Sequence, residues 1–265
     1  MKIIEKFLKG KYSNKCEDGY VITEDFIAVV DGATSRNKYL WNGKTSGEIA
    51  KDLILNTISK FEADINCKNF FESLKNVLKD KLDEQKEIPI SEMLRASIVV
   101  YSKFYKEIWS LGDCKFCVNH IIFENKKEVD YYIANVRSML VNSFILEGKT
   151  VAELLKDDLS RKMIEPLIDR QFYLENKAVE YGYPVLNSHC INYEMIVKYP
   201  VKDDDIIIFS TDGYPILKES LIESENELNR IIIEDPLCYN IYKSTKGLSP
   251  DATSFDDRCY IKFIV

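Results

Sequence analysis

Asp204-Asp205-Ile206-Ile207-Ile208-Phe209-Ser210-Thr211-Asp212-Gly213-Tyr214 sets four apolar, β-favouring residues in front of an acid and a glycine. Three isoleucines and a phenylalanine in succession suit a strand buried on both faces. The pattern recurs in Phe26-Ile27-Ala28-Val29-Val30-Asp31-Gly32 and in Trp109-Ser110-Leu111-Gly112-Asp113. Two more acidic pairs flank β-runs: Glu17-Asp18 precedes the first hairpin and Asp256-Asp257 precedes the last strand. An acid at the end of a buried strand is held rigidly by the sheet while its oxygens face the space beyond, and a glycine beside it lets backbone or ligand approach closely. Any one Asp-Gly is more often a turn. Brought together, however, such acids form a cluster whose mutual repulsion a divalent cation would relieve.

Working outward, Tyr20–Thr23 and Phe26–Val30 read as a hairpin around Glu24-Asp25. Thr45 and Glu48 fit a capping box opening a helix that carries Ile49, Ala50, Leu53, Ile54, Ile58 and Phe61 on one face. A second amphipathic helix is expected near Asn69 to Glu84. Residues 96–101, 107–111, 115–122 and 129–134 read as four strands in an antiparallel meander. Thr150 and Glu153 open a further helical region that Pro166 should break or kink. A helix from about Lys218 to Glu234 and a last strand, Cys259 to Val265, close the chain. Paired helices and strand meanders point to an α+β fold: two stacked antiparallel β-sheets flanked by helices, in a single domain over residues 1–265.

Composition narrows the function classes. Apolar residues make up 46% and charged residues 30%, as in a soluble globular chain, and the net charge of −7 argues against nucleic acid and against an anionic membrane as partners. No run reaches the ~20 apolar residues of a membrane helix, and no signal-like segment opens the chain, so a cytoplasmic protein is expected. Seven scattered cysteines suit reduced thiols. With two histidines against 43 Asp plus Glu, any metal site should be oxygen-rich and take Mg²⁺ or Mn²⁺.

The order Glu17-Asp18, Asp31-Gly32, Gly112-Asp113, Asp212-Gly213, Asp256-Asp257 resembles the motif series of the type 2C (PPM) metal-dependent Ser/Thr protein phosphatases, over nearly the whole chain. The resemblance, to a divergent bacterial member, implies an α-β-β-α sandwich with two Mg²⁺ or Mn²⁺ ions in a cleft at one end. Asp31 would bridge both ions. Asp212 and Asp256, chosen over Asp257, would complete one site. Glu17 and the carbonyl of Gly32 would serve the other, with Asp18 orienting a water beside them. Asp113 matches a position that holds a third, weaker ion in some members. The implied activity is hydrolysis of phosphoserine and phosphothreonine in a phosphorylated protein substrate, by direct attack of water activated between the ions. Asp31 and Asp18 are the expected catalytic residues, and a monomer is expected.

Two departures stand out. The family's histidine after Asp-Gly is replaced by Ala33-Thr34-Ser35, and Ser13 stands where its phosphate-binding arginine is expected. Lys11, Lys15 and Arg36 are candidate replacements, though each reads first as a solvated surface charge. The losses keep two alternatives open: a weak or inactive regulatory binding module on the same fold, and a small-molecule phosphoesterase. Loops Arg36 to Gly43 and Asp158 to Tyr181 would set substrate choice. Cys114 and Cys117 suggest zinc, but residues three apart on a strand face opposite sides, so packing thiols are expected. His189 reads as a surface residue.

Overall fold

The computed structural model describes residues 1–34, 40–85, 87–125 and 127–265. Among these, the strands are β1 (Lys2–Lys9), β2 (Asp18–Ile22), β3 (Phe26–Gly32), β4 (Arg95–Ser102), β5 (Glu107–Leu111), β6 (Lys115–Val118), β7 (Ile121–Phe123), β8 (Leu186–Asn187), β9 (Val197–Pro200), β10 (Ile206–Ser210) and β11 (Arg258–Ile264). The helices are α1 (Ser46–Ile58), α2 (Cys67–Asp83), α3 (Glu128–Leu146), α4 (Val151–Lys156), α5 (Leu159–Arg170) and α6 (Leu221–Glu234). One sheet runs β1-β11-β10-β6-β7; the other runs β2-β3-β4-β5-β9, with β8 paired to β4. Every strand pairing is antiparallel.

Strand period explains the layering. In β3, Ile27 and Val29 point into the sandwich and meet Phe209, Ile207, Ile261 and Phe263 of the other sheet. Their neighbours Phe26, Ala28 and Val30 point the other way, against Ala50 and Ile54 of α1 and Phe70, Phe71 and Leu74 of α2. The opposite outer face, with Ile208 and Tyr260, is covered by Leu228 and Ile231 of α6. Each fully buried side chain of this size contributes roughly 1.5–3 kcal/mol, so three apolar layers hold the strand ends in place. Both expected capping boxes form, at Thr45/Glu48 and Thr150/Glu153.

Three expectations are corrected. Residues 129–134 are not a strand but the start of α3. The β-prone Val129-Asp130-Tyr131-Tyr132-Ile133 is overridden because Ile133, Arg137 and Val141, with Ala134 and Ser138, bury one helical stripe. The middle strands are not one meander: β4 and β5 belong to one sheet, β6 and β7 to the other. The chain changes sheets at Gly112, whose φ of +105° is open to glycine and unfavourable for other residues. Of the break or kink expected at Pro166, the break does not occur: α5 runs through it. It sits on the exposed face while Ser160, Ile164 and Ile168 anchor the buried one, so water can replace the hydrogen bond that proline removes.

Cys114 lies in the core between the sheets and Cys117 in the core under α6, the opposite-face packing expected for them. His189 is exposed, also as expected. No helix among the described residues is long and apolar enough to cross a membrane.

Candidate active site

Register brings the acids together. Asp18 pairs with Asp31 across β2 and β3, and Asp31 pairs with Ser97 across β3 and β4. The Ser97 hydroxyl donates to Asp113, and the backbone N–H of Asp113 donates back to the Ser97 Oγ at 3.2 Å. Three carboxylates and a serine thus form one row across the end of this sheet. Gly112 makes the row possible: a Cβ there would lie 2.3 Å from the Ser97 Oγ. From the other sheet, Asp212 follows β10 and hydrogen-bonds to Asp31, and Asp256 lies just before β11.

The electrostatics match this convergence. Burial pushes the carboxyls of Asp18 and Asp31 well above the ordinary range. Asp256, Asp257 and Asp212 add to the rise at Asp18, whose bond from the Thr211 hydroxyl opposes it. Asp18, Asp212, Asp113 and Asp256 add to it at Asp31. Asp212 is raised to about 6 by burial and by Asp113 and Asp256. Asp256 goes the other way: burial would raise it, but Lys246 and Lys11 outweigh that and hold it well below the usual carboxylate range.

Both lysines bond Asp256 directly, Lys11 Nζ to Oδ1 at 2.6 Å and Lys246 Nζ to Oδ2. Lys11 also stands 3.9 Å from Glu17 Oε2. The expectation that Lys11 is a solvated surface charge is therefore corrected, since its side chain is only 13% exposed and is drawn in by the acids. Lys15 is exposed, and Arg36 lies outside the described residues.

Asp256 and Asp257 have separate roles in the structure. Asp257 is buried and takes the backbone N–H of Lys11 on Oδ1 at 2.8 Å and that of Glu17 on Oδ2 at 2.6 Å, so its oxygens fasten the segment that carries Glu17. Asp256 instead lines the cleft. On the far side, Glu17 Oε1 accepts from the Thr45 hydroxyl at 2.7 Å. Glu17 Oε1 and the Gly32 carbonyl oxygen both lie 2.9 Å from the point where a Cβ on Gly47 would sit, a space that glycine at the start of α1 leaves clear.

Among the described residues, no group of three or more His, Cys, Asp or Glu side chains is drawn together tightly enough to form a metal cage. The chemistry of the donors nonetheless fits a hard divalent cation. All are oxygens, their charges repel, and Asp18 Oδ2 is buried with no hydrogen-bond partner. Glu17, Asp31, the Gly32 carbonyl, Asp113, Asp212 and Asp256 are the groups that would hold such ions, with Asp18 beside them to orient a water.

A cleft of about 1060 Å³ opens from Asp31, Asp113, Asp212 and Asp256 and runs between the lobe formed by α3, α4 and α5 and the loop at 240–250. Its wall is stiffened by Arg95, which donates to Glu175 and lies over the Phe172 ring at 4.5 Å, while Asn187 donates to the other Glu175 oxygen at 3.0 Å. Lys246, Arg95 and the arginines of the lobe carry no local sequence signal.

No protein-family model matches the chain, and no curated protein matches it in sequence. Solved structures do match its fold. The catalytic domain of the serine/threonine protein phosphatase PstP, in complex with two manganese ions, aligns with a TM-score of 0.50 at 12% identity over 100% of both chains. A PPM Ser/Thr phosphatase from Mycobacterium smegmatis aligns at 0.49 and 13% identity, again over 100% of both. A serine/threonine phosphatase from Staphylococcus aureus aligns at 0.48 and 13%, over 98% of this chain and 94% of its own. The α-β-β-α sandwich is the fold of PPM-type Ser/Thr phosphatase catalytic domains, as the motif order implies.

Proposed function

We propose that the chain is a divalent-metal-dependent phosphatase acting on phosphoserine and phosphothreonine in proteins. The observation that carries the reading is the meeting of Asp18, Asp31, Asp113, Asp212 and Asp256 at one end of a sandwich with the PPM-type fold. Bound Mg²⁺ or Mn²⁺ would supply the charge that neutralises the phosphoryl oxygens and activates water.

The chain's own residues prepare that chemistry. Asp31 and Asp212, brought side by side from the two sheets, would hold the centre of the donor set. Asp18, fixed by cross-strand pairing with Asp31 and by the Thr211 hydroxyl, keeps one buried oxygen available for orienting a water. Ser97 fixes Asp113. Lys11, in the segment where the family's arginine is absent, supplies positive charge beside Asp256 and Thr34. The open cleft beside the acids suits a peptide chain carrying the phosphate.

The test is hydrolysis of p-nitrophenyl phosphate and of a phosphothreonine peptide with Mn²⁺ and with chelator. Metal-dependent turnover that disappears in Asp31→Asn supports the proposal. No turnover of either substrate, or full turnover in Asp31→Asn, refutes it. Turnover of small phosphoesters alone would favour a small-molecule phosphoesterase. One observation favours a weak or regulatory module: two lysines already bond Asp256.

A further inference from the structure

Lys246 sits in a loop without regular structure, yet the loop is tied down from several sides. The Asp235 carboxylate accepts the backbone N–H groups of Tyr239, Asn240 and Ile241, at 3.1, 2.9 and 2.7 Å. The fully buried Arg137 of α3 donates to the carbonyls of Leu237 at 2.7 Å and Ser244 at 3.1 Å, and its charge is met by Asp158. Arg161 of α5 donates to the carbonyl of Thr245 at 2.8 Å. The two residues before Lys246 are thus held by two arginines of the helical lobe. Gly247 packs so closely on Leu237 that a Cβ there would lie 3.0 Å from the Leu237 Cα. A lysine on an untethered loop would give up backbone as well as side-chain freedom on reaching for a carboxylate. Here the backbone is already in place, and only the side chain has to order.

We propose that Lys246 is a built-in competitor for divalent cations at Asp256, delivered by the α3–α5 lobe, and that it sets the metal affinity of the site. This rests on the reading of the acidic end as a metal site. An ammonium on Asp256 Oδ2 fills a donor position and repels an incoming cation. A metal must displace it, whereas Lys11, on the opposite oxygen, belongs to the strapped segment beside Glu17. The lobe that walls the substrate cleft also holds the lysine loop, so movement of the lobe would change metal affinity.

The test is calorimetric titration of MnCl₂ into the wild-type chain, Lys246→Gln and Lys246→Arg, with melting temperatures recorded in EDTA and in excess Mn²⁺. The expected result is at least tenfold tighter Mn²⁺ binding by Lys246→Gln, with Lys246→Arg within threefold of wild type. In EDTA, Lys246→Gln should melt below wild type, because Asp256 has lost a counter-charge, and excess Mn²⁺ should close that gap. Unchanged or weaker binding by Lys246→Gln overturns the proposal, as does tightening by Lys246→Arg to the same degree. Tightened binding without phosphatase turnover in any of the three leaves this inference standing and removes the catalytic one. No binding heat from any of the three overturns both.

Discussion

Asp212→Asn should stabilise the metal-free protein. Asp212 is raised from the ordinary 3.8 to about 6, by burial first and then by the charges of Asp113 and Asp256. A folded-state value above the unfolded one means that the folded protein binds the proton more tightly, so stability falls as pH rises between these two values. Above about pH 6 the cost is fully present, at about 3 kcal/mol; below 3.8 both states are protonated and it vanishes. Asparagine removes the charge and keeps a group able to bond Asp31, so a net gain of about 2 kcal/mol is expected at pH 7.5, a rise of about 4–8 °C in melting temperature. Urea unfolding in EDTA at pH 7.5 and pH 4.5 measures it, and the gain should shrink to less than half at the lower pH. Excess Mn²⁺ should reverse the order, because it stabilises the wild type through a ligand the variant lacks. A variant no more stable than wild type at pH 7.5 in EDTA, or a gain that does not shrink at pH 4.5, would refute the reasoning.

Asp257→Ala should cost about 3–5 kcal/mol by orphaning the backbone N–H groups of Lys11 and Glu17; chemical denaturation in EDTA measures it. Gly112→Ala should lose several kcal/mol, because the residue is at φ +105° and its Cβ would meet Ser97; circular dichroism melting checks this. Arg95→Met should destabilise by about 3–5 kcal/mol by leaving the Glu175 carboxylate buried without its guanidinium, and Glu175→Gln in the same background should recover part of the loss. In the native protein Cys114 should resist thiol alkylation, since burial, with Asp31 and Asp113 nearby, keeps its thiol protonated; mass spectrometry after iodoacetamide shows whether it does.

The sequence made the strand ends legible because their signal is local. Phe26–Val30 and Ile206–Phe209 are apolar at every position, as suits strands covered on both faces; the first runs straight into Asp31, and the second reaches Asp212 through Ser210 and Thr211. The helix starts were equally plain where Thr and Glu stand three apart. Residues 129–134 misled because six positions rich in Tyr, Val and Ile carry β-propensity, while the stripe that makes them helical continues to Val141. The short β9 and the edge strand β1 carry weak signals, because β9 has only four residues and the alternating exposure of β1 leaves it one weakly covered face.

At the site, Asp18, Asp31, Asp113, Asp212 and Asp256 could be picked out by position in the chain. What each does could not: only coordinates show Asp257 spent on two amides while Asp256 lies between two lysines. Lys246 was invisible because a loop lysine has no period and no neighbour in sequence to betray it. Its place is fixed by Arg137 and Arg161, more than eighty residues away along the chain.

Everything proposed for function depends on divalent ions occupying the acidic end of the sandwich. A crystal of the full chain soaked in MnCl₂, with anomalous differences collected at the manganese edge, tests this directly. Manganese peaks beside Asp31 and Asp212, with the Lys246 ammonium displaced from Asp256, are the predicted result. Manganese found only elsewhere on the molecule, with Lys11 and Lys246 still bonded to Asp256, would contradict it.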